Sequence, residues 1–153
     1  MARVEDILEP TRTVVTTAEC PHFDSEPFVT GPALSKRRVA IISSAALIQR
    51  GDAPFHWGTT EYRAVPASWP ASGMLTSHVS INFDRSGFQR DINTVHPVDR
   101  LKEFAAAGVI GGAAETHYTV LGSSDPVGMT ETADQIARRL RQQEIDSVLL
   151  CPV

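Results

Sequence analysis

The stretch Ile-Asp-Ser-Val-Leu-Leu at residues 145–150 decides the fold. It follows a segment with helical periodicity and is apolar on both faces, which is typical of a parallel strand covered by helices on each side. Cys151, Pro152 and Val153 complete the sequence. A further helix normally follows such a strand. We therefore expect an N-terminal piece of a longer polypeptide, interrupted at the carboxyl edge of its sheet, where open α/β proteins bind ligands.

Strand-like segments also precede this stretch. The apolar run at residues 39–42 predicts a first core strand, and the alternation of polar and apolar side chains at residues 77–83 predicts a second. Residues 109–112 and 118–122 read as two shorter extended segments. Residues 51–70 contain several prolines among aromatic side chains, which indicates a long ordered excursion rather than a regular element.

Two helices are predicted between the strands. The first begins at Pro97 and ends before Gly108, with one apolar face formed by Val98, Leu101 and Ala105. The second begins at a capping box of Thr132 and Gln135, and its apolar stripe is formed by Ala133, Ile136, Ala137 and Leu140. The alternation predicts a three-layer α/β fold with a mostly parallel sheet, helices on both faces and a Rossmann-like order that is incomplete at the C-terminus.

The domain organisation follows from the distribution of residues that interrupt helices and strands, proline above all. Residues 1–35 are rich in proline, threonine and acidic side chains, so we expect an irregular N-terminal arm before one α/β domain at residues 36–153. The formal net charge is −4 and the pI is 5.7, which argues against a nucleic-acid partner. No segment reads as a signal peptide or a membrane span, so a cytoplasmic location is expected, where Cys20 and Cys151 would be free thiols.

Cys151 is the main candidate for chemistry. It follows a strand expected to be buried, at the edge where a thiol would face the ligand crevice, although a free cysteine is also often a small buried apolar residue. His96 precedes a helix, so its ring could point to the crevice in a catalytic role, and the N-terminus of that helix could bind a carboxylate. Arg100 could bind substrate or simply form a surface ion pair. The other expected substrate contacts are Ser43, Ser44, Asp84, Gly111 and Gly112. The serine pair and the glycine pair follow strand-like segments and are expected to contact an anionic substrate at the same carboxyl edge. No metal-ligand pattern is expected, since no second ligand pair stands at a suitable spacing from Cys20.

Four segments resemble a known family. They are INFDRSGF at residues 81–88, DIN at 91–93, HPVDRL at 96–101 and LLCPV at 149–153. Together they are similar to the selenoprotein B family of glycine, sarcosine, betaine and D-proline reductases. The resemblance spans most of residues 39–153.

The resemblance implies a chemistry and a missing residue. In that family a selenocysteine, or a cysteine replacing it, follows the strand corresponding to residues 145–150, so we expect selenocysteine immediately after Val153, at a recoded UGA codon. It implies a reductase subunit that cleaves the C–N bond of a small amino-acid-like or betaine-like substrate and is re-reduced by a thiol donor. Cys151 would resolve the mixed selenide-sulfide. Partner reductase subunits and a homo- or hetero-oligomer are expected, no other cofactor is visible, and residues 1–153 alone should be inactive.

Two alternatives remain open on the sequence alone. One is a cofactor-independent racemase or lyase, which would need two opposed cysteines at the strand ends. The other is a non-catalytic module that binds a small anion at the same edge of the sheet and has no redox residue.

Overall fold

The computed structural model describes residues 3–17, 22, 24, 26–80 and 85–153, and these residues form seven strands and four α-helices. The strands are β1 (Arg38–Ser43), β2 (Leu47–Gln49), β3 (Tyr62–Pro66), β4 (Met74–Thr76), β5 (Gly112–Ala113), β6 (Thr116–Val120) and β7 (Ser147–Cys151). The helices are α1 (Thr11–Thr17), α2 (Ser86–Arg90), α3 (Val98–Ala106) and α4 (Thr130–Gln142).

Strand β1 is the centre of the main sheet. On one side it pairs in parallel with β5 at its start and with β6 at its end. On the other side it pairs in parallel with β7 along its length, from Val39 opposite Ser147 to Ser43 opposite Cys151. Strand β3 completes the sheet antiparallel to β6, while β2 and β4 form a separate antiparallel pair. The mostly parallel sheet predicted from the sequence is confirmed.

Helices cover both faces of this sheet because alternate side chains of β1 point in opposite directions. On one face, Ala40 packs in a cluster with Ile136 and Leu140 of α4. On the other face, Ile41 packs with Val98 and Leu101 of α3. The three layers and the predicted apolar face of α3 are therefore confirmed. A Rossmann-like strand order, which requires further parallel strands, stays a prediction.

Strand β7 differs from the expectation of a strand buried on both faces. Val148, Leu149 and Leu150 are 40%, 39% and 68% exposed. The strand pairs with β1 alone among the strands of the described residues, so its outer edge is open. The apolar sequence predicted the strand correctly, but its expected burial on both faces is wrong for the described residues.

The second predicted strand, at residues 77–83, is wrong in the part that the structure describes. Residues 77–80 are not a strand, and residues 81–83 lie outside the described residues. The backbone N–H of Ser77 donates to the carbonyl of Ala46, and its hydroxyl accepts from the N–H of Phe55, so this segment ties two loops together. Strand β3 instead lies within the proline-rich region that we expected to be irregular.

Helix α4 begins at Thr130, two residues before the predicted cap. Thr132 lies inside the helix, and its hydroxyl donates to the carbonyl of Thr60 in a loop that precedes β3. The predicted capping box is therefore wrong, because this hydroxyl makes a tertiary contact. In the N-terminal arm, the described residues include the short helix α1, whose side chains are largely exposed. None of the described helices is both long and apolar enough to span a membrane.

Candidate functional site

The carboxyl ends of β1 and β7 meet at one edge of the sheet. The backbone N–H of Ser44 donates to the carbonyl of Cys151 at 3.1 Å, and the N–H of Val153 donates to the Ser44 hydroxyl at 2.8 Å. After β1, the chain returns to the sheet through α3 at β5, on one side of β1. After β6, it returns through α4 at β7, on the other side of β1, so the two connections run in opposite directions across the sheet. Ligands of open α/β sheets bind at such a switch point, outside the carboxyl ends of the strands.

The loop after β1 is fixed by buried hydroxyls. Ser43 is fully buried, and its hydroxyl donates to the carbonyl of Val95 at 2.7 Å and accepts from the N–H of Ala45 at 3.2 Å. The hydroxyl of Thr119 donates to the carbonyl of Ser43 and accepts from the N–H of Leu47, both at 3.0 Å. Ser43 thus supports the loop, and Ser44 is the member of the predicted serine pair that is partly accessible at the edge.

Backbone segments approach closely around Ser44. A Cβ atom at Gly122 would lie 3.0 Å from the carbonyl oxygen, Cβ and Oγ of Ser44, and the Gly122 N–H donates to that carbonyl. Two residues after Ser44, Ala46 is in the left-handed region with φ 51° and is fully buried. A non-glycine residue holds such a backbone only where its surroundings enforce it, and this is frequent at functional sites.

Cys151 lies on the α3 face of β7, directly opposite Ser43 on β1. Its side chain is half-buried and packs against the cluster that contains Ile41 and Val98. Burial raises the pKa of the Cys151 thiol, because the apolar surroundings disfavour the thiolate. At neutral pH this residue is therefore a protonated thiol beside the edge and a weak nucleophile on its own.

His96 lies just before α3 but does not face an open crevice, so that part of the expectation is wrong. Its side chain is 1% exposed and packs against His117 of β6 in an edge-to-face pair with ring centroids 5.1 Å apart. The N-terminus of α3 also has local partners. The N–H of Val98 donates to the carbonyl of His96, and the N–H of Asp99 donates to the side-chain oxygen of Asn93. These contacts occupy donors that we expected to bind a carboxylate.

His117 was missed by the sequence interpretation, which began the corresponding extended segment at Tyr118. Its Nδ1 accepts the N–H of Ile41 at 3.1 Å, at the point where β1 changes partner from β5 to β6. The ring thus satisfies a buried backbone donor that the ladder leaves unpaired. The alternation in Thr116-His117-Tyr118-Thr119-Val120 was the available signal, since it places His117 and Thr119 on one face.

Both histidines are neutral at ordinary pH. Burial lowers the pKa of His96 to about 4, partly opposed by the Asp99 carboxylate. Burial lowers the pKa of His117 to about 3, with further lowering by His96 and Lys102. Among the described residues, His96 Nδ1 and His117 Nε2 are buried without a hydrogen-bond partner. The two histidines therefore form a buried polar cluster between the sheet and α3.

The remaining predicted contacts lie elsewhere or cannot be placed. Arg100 is on the surface of α3, where its guanidinium pairs with Glu103 at 2.7 Å and both side chains are more than half exposed. Asp84 and Cys20 lie outside the described residues. No group of three or more metal-ligating side chains occurs in the part of the chain that the structure describes.

Gly111 and Gly112 are at the opposite end of the sheet from the candidate site. Both backbone N–H groups donate to the carbonyl of Arg37, and Gly112 pairs with Arg38 at the start of β1. A Cβ at Gly111 would lie 2.6 Å from the backbone carbon of Lys36. Their expected place at the carboxyl edge is wrong, because Gly112 begins β5 at the start of β1 and Gly111, just before it, permits a close backbone approach.

The fold is that of an α/β protein, and the carboxyl ends of β1 and β7 are its candidate site. The model of the glycine/sarcosine/betaine reductase selenoprotein B family matches residues 12–152. The chain belongs to this family, as the sequence motifs indicated.

Two curated relatives are similar to the chain. D-proline reductase subunit gamma of Acetoanaerobium sticklandii is 28% identical over 120 residues, covering 76% of this chain and 49% of the relative. Glycine reductase complex component B subunit gamma of Symbiobacterium thermophilum is 27% identical over 125 residues, covering 76% of this chain and 28% of the relative. The chain thus spans half or less of the length of these relatives. No solved structure matches it significantly.

Proposed function

We propose that this chain is part of a reductase subunit that cleaves the C–N bond of a small amino-acid-like or betaine-like substrate. The observation that carries the proposal is the meeting of Ser44, Cys151 and Val153 at the carboxyl edge, in a chain of the selenoprotein B family. The two relatives named above are subunits of D-proline and glycine reductases, which supports a reductase role.

In the proposed reaction, a selenocysteine that follows Val153 supplies the nucleophile. Its selenolate attacks the carbon bonded to nitrogen, a selenium–carbon bond forms, and the C–N bond breaks with its electron pair leaving on nitrogen, which takes a proton. A thiol then attacks selenium, so the selenium–carbon bond breaks, the carbon takes a proton to form a C–H bond, and a selenide-sulfide forms. A second thiol attacks the sulfur of this bond, which regenerates the selenol and leaves the two thiols as a disulfide, so together they supply two electrons and two protons. A selenol suits the first step because its pKa lies well below that of a thiol.

Cys151 has the properties of a resolving thiol in this scheme. Its raised pKa disfavours a role as the first nucleophile, while the two residues between it and the proposed selenocysteine give a Cys-x-x-selenocysteine spacing. Ser44 holds the segment between them through its bond to the Val153 N–H. Partner subunits and a thiol electron donor belong to the proposal, and a donor of this kind suits the reducing cytoplasm.

The first experiment reads the gene beyond the Val153 codon. We expect a UGA codon, a frame that stays open after it, and selenium in the purified protein by mass spectrometry. Any codon other than UGA or a cysteine codon at this position would remove the proposed nucleophile.

The second experiment tests Cys151 in the selenocysteine-containing protein. Cys151→Ser should allow a first turnover but block repeated turnover, since a hydroxyl cannot form the selenide-sulfide. Ser147→Ala is the matched control, because Ser147 lies on the same strand four residues from Cys151, at the opposite end of β7. Unchanged multiple turnover in Cys151→Ser would remove this thiol from the mechanism.

A further inference from the structure

An apolar groove lies between α4 and the exposed face of β7. It has a volume of about 390 Å³ and is lined mainly by Val148 and Leu150 of β7, Ala133 and Ala137 of α4, and Ile42 of β1. Leu150 is 68% exposed and Ala133 is also exposed, although both side chains line the groove. Small residues on a helix beside branched residues on a strand let another element approach closely.

The groove adjoins an open sheet edge. Strand β7 pairs with β1 on one side, and its other side has no strand partner among the described residues. Outward backbone N–H and C=O groups of such a strand are available to another strand. An apolar face and an unpaired edge at one place fit an occupant that contributes both a helix and a strand.

The topology specifies on which face that helix would lie. The connection from β6 to β7 crosses β1 through α4, so it advances across the sheet with its helix on the α4 face. Connections between parallel strands are almost always right-handed. A strand added beyond β7 continues the same advance, and its connecting helix must therefore lie on the α4 face, where the groove is.

We propose that this groove, with the outer edge of β7, is the docking site of a helix–strand unit that follows Val153 in a longer form of this polypeptide. The relatives are longer than the matched stretch, which covers 49% of one and 28% of the other, so their length leaves room for such a unit. The proposal rests on family membership and goes beyond the proposed function, because it does not depend on which residue follows Val153.

The test compares residues 1–153 with the polypeptide extended through the following reading frame, with cysteine in place of any selenocysteine. Hydrogen exchange of the β7 amides is measured by mass spectrometry. Extension should slow exchange in residues 147–151 by about tenfold or more, as expected when a strand edge is covered. Ala133→Glu, which puts a charge in the groove, should abolish that protection. Ala106→Glu is the control, since Ala106 is an exposed alanine of α3 away from the groove.

Each other outcome overturns the proposal. These outcomes are equal exchange in both lengths, protection that survives both Ala133→Glu and Ala137→Glu, and a reading frame that closes directly after Val153. Light scattering can show a further outcome that overturns the proposal. If the extended protein is a dimer and becomes a monomer with Ala133→Glu, the groove binds a second copy of the chain. No turnover is measured, so a failed selenocysteine mechanism leaves this test unaffected.

Discussion

Strands β6 and β7 pair with the same central strand, yet they lie in opposite environments. Ile42 of β1 is opposite Tyr118 of β6 and opposite Leu150 of β7. Tyr118 is 1% exposed, whereas Leu150 is 68% exposed. Strand β3 and the side chains of α4 complete the β6 side, while the β7 side is open. Strand pairing alone therefore does not bury a residue; the layer above and the next strand outward do.

The largest difference in the free energy of unfolding should appear when Tyr118 and Leu150, the two residues opposite Ile42, are each truncated to alanine in the 153-residue chain. Tyr118→Ala should cost about 3–5 kcal/mol, the range for deleting a buried aromatic side chain. It also removes the hydroxyl that accepts from Gln143. Leu150→Ala should cost less than about 1 kcal/mol, because an exposed side chain loses little burial. Denaturant unfolding measures both, and similar losses would contradict the contrast between the two strands.

The histidine pair should make the stability of the fold decrease in acid. The pKa values of His96 and His117 in the folded protein, about 4 and about 3, lie below the unfolded value of 6.5. Between these values the unfolded chain binds more protons. Stability is therefore unaffected by this pair above pH 6.5 and falls as the pH decreases below it, by about 1.4 kcal/mol per pH unit for each histidine.

Unfolding measured from pH 7 to pH 5 tests this prediction. The variant His96→Phe/His117→Asn removes both titrations, and the Asn side-chain oxygen can still accept the Ile41 N–H. Its stability should depend much less on pH than that of the unmodified chain. An equally steep dependence in the variant would assign the acid sensitivity to other groups.

A smaller contrast is expected for the two neighbours of Ser43, which are Thr119 and Cys151. Thr119→Val keeps the shape but leaves the Leu47 N–H and the Ser43 carbonyl without their buried partner, at a cost of about 1–3 kcal/mol. Cys151→Ser changes a half-buried atom and should cost less than about 1 kcal/mol. If Cys151→Ser proved the more damaging to thermal stability, Cys151 would be a core residue.

The smallest effect is expected on the surface of α3. Arg100→Gln breaks an ion pair with Glu103 whose members are 56% and 59% exposed, so stability should change by less than about 0.5 kcal/mol. Thermal unfolding checks this. A large loss would mean that Arg100 has a buried role that its position does not indicate.

Periodic segments could be predicted well from the sequence. The apolar run at residues 39–42 and the face of Val98, Leu101 and Ala105 are dictated by local patterns, and both were found in the structure. Strand β3 was missed because one of its residues, Val65, is buried while proline and polar side chains surround it. Its pairing with β6 is a long-range contact, which a local pattern does not contain.

The candidate site was predictable in outline. The carboxyl-edge positions of Ser44 and Cys151 follow from the strand ends, and the structure brings them together. The depth of His96, its contact with His117 and the amino-end position of Gly111 were not predictable. They depend on which strand pairs with each half of β1, and the change of partner from β5 to β6 has no sequence signature.

The hydrogen bond from the Val153 N–H to Ser44 also has an entropic consequence for the proposed longer polypeptide. Consecutive Cα atoms are about 3.8 Å apart, so a residue joined to Val153 begins its path at the edge itself. Part of the conformational freedom of this segment is already lost before any reaction. A side chain there and the Cys151 thiol would meet at a high effective concentration, because folding has already restricted their search. Ser44→Gly should therefore slow bond formation between them without changing the chemistry of either group.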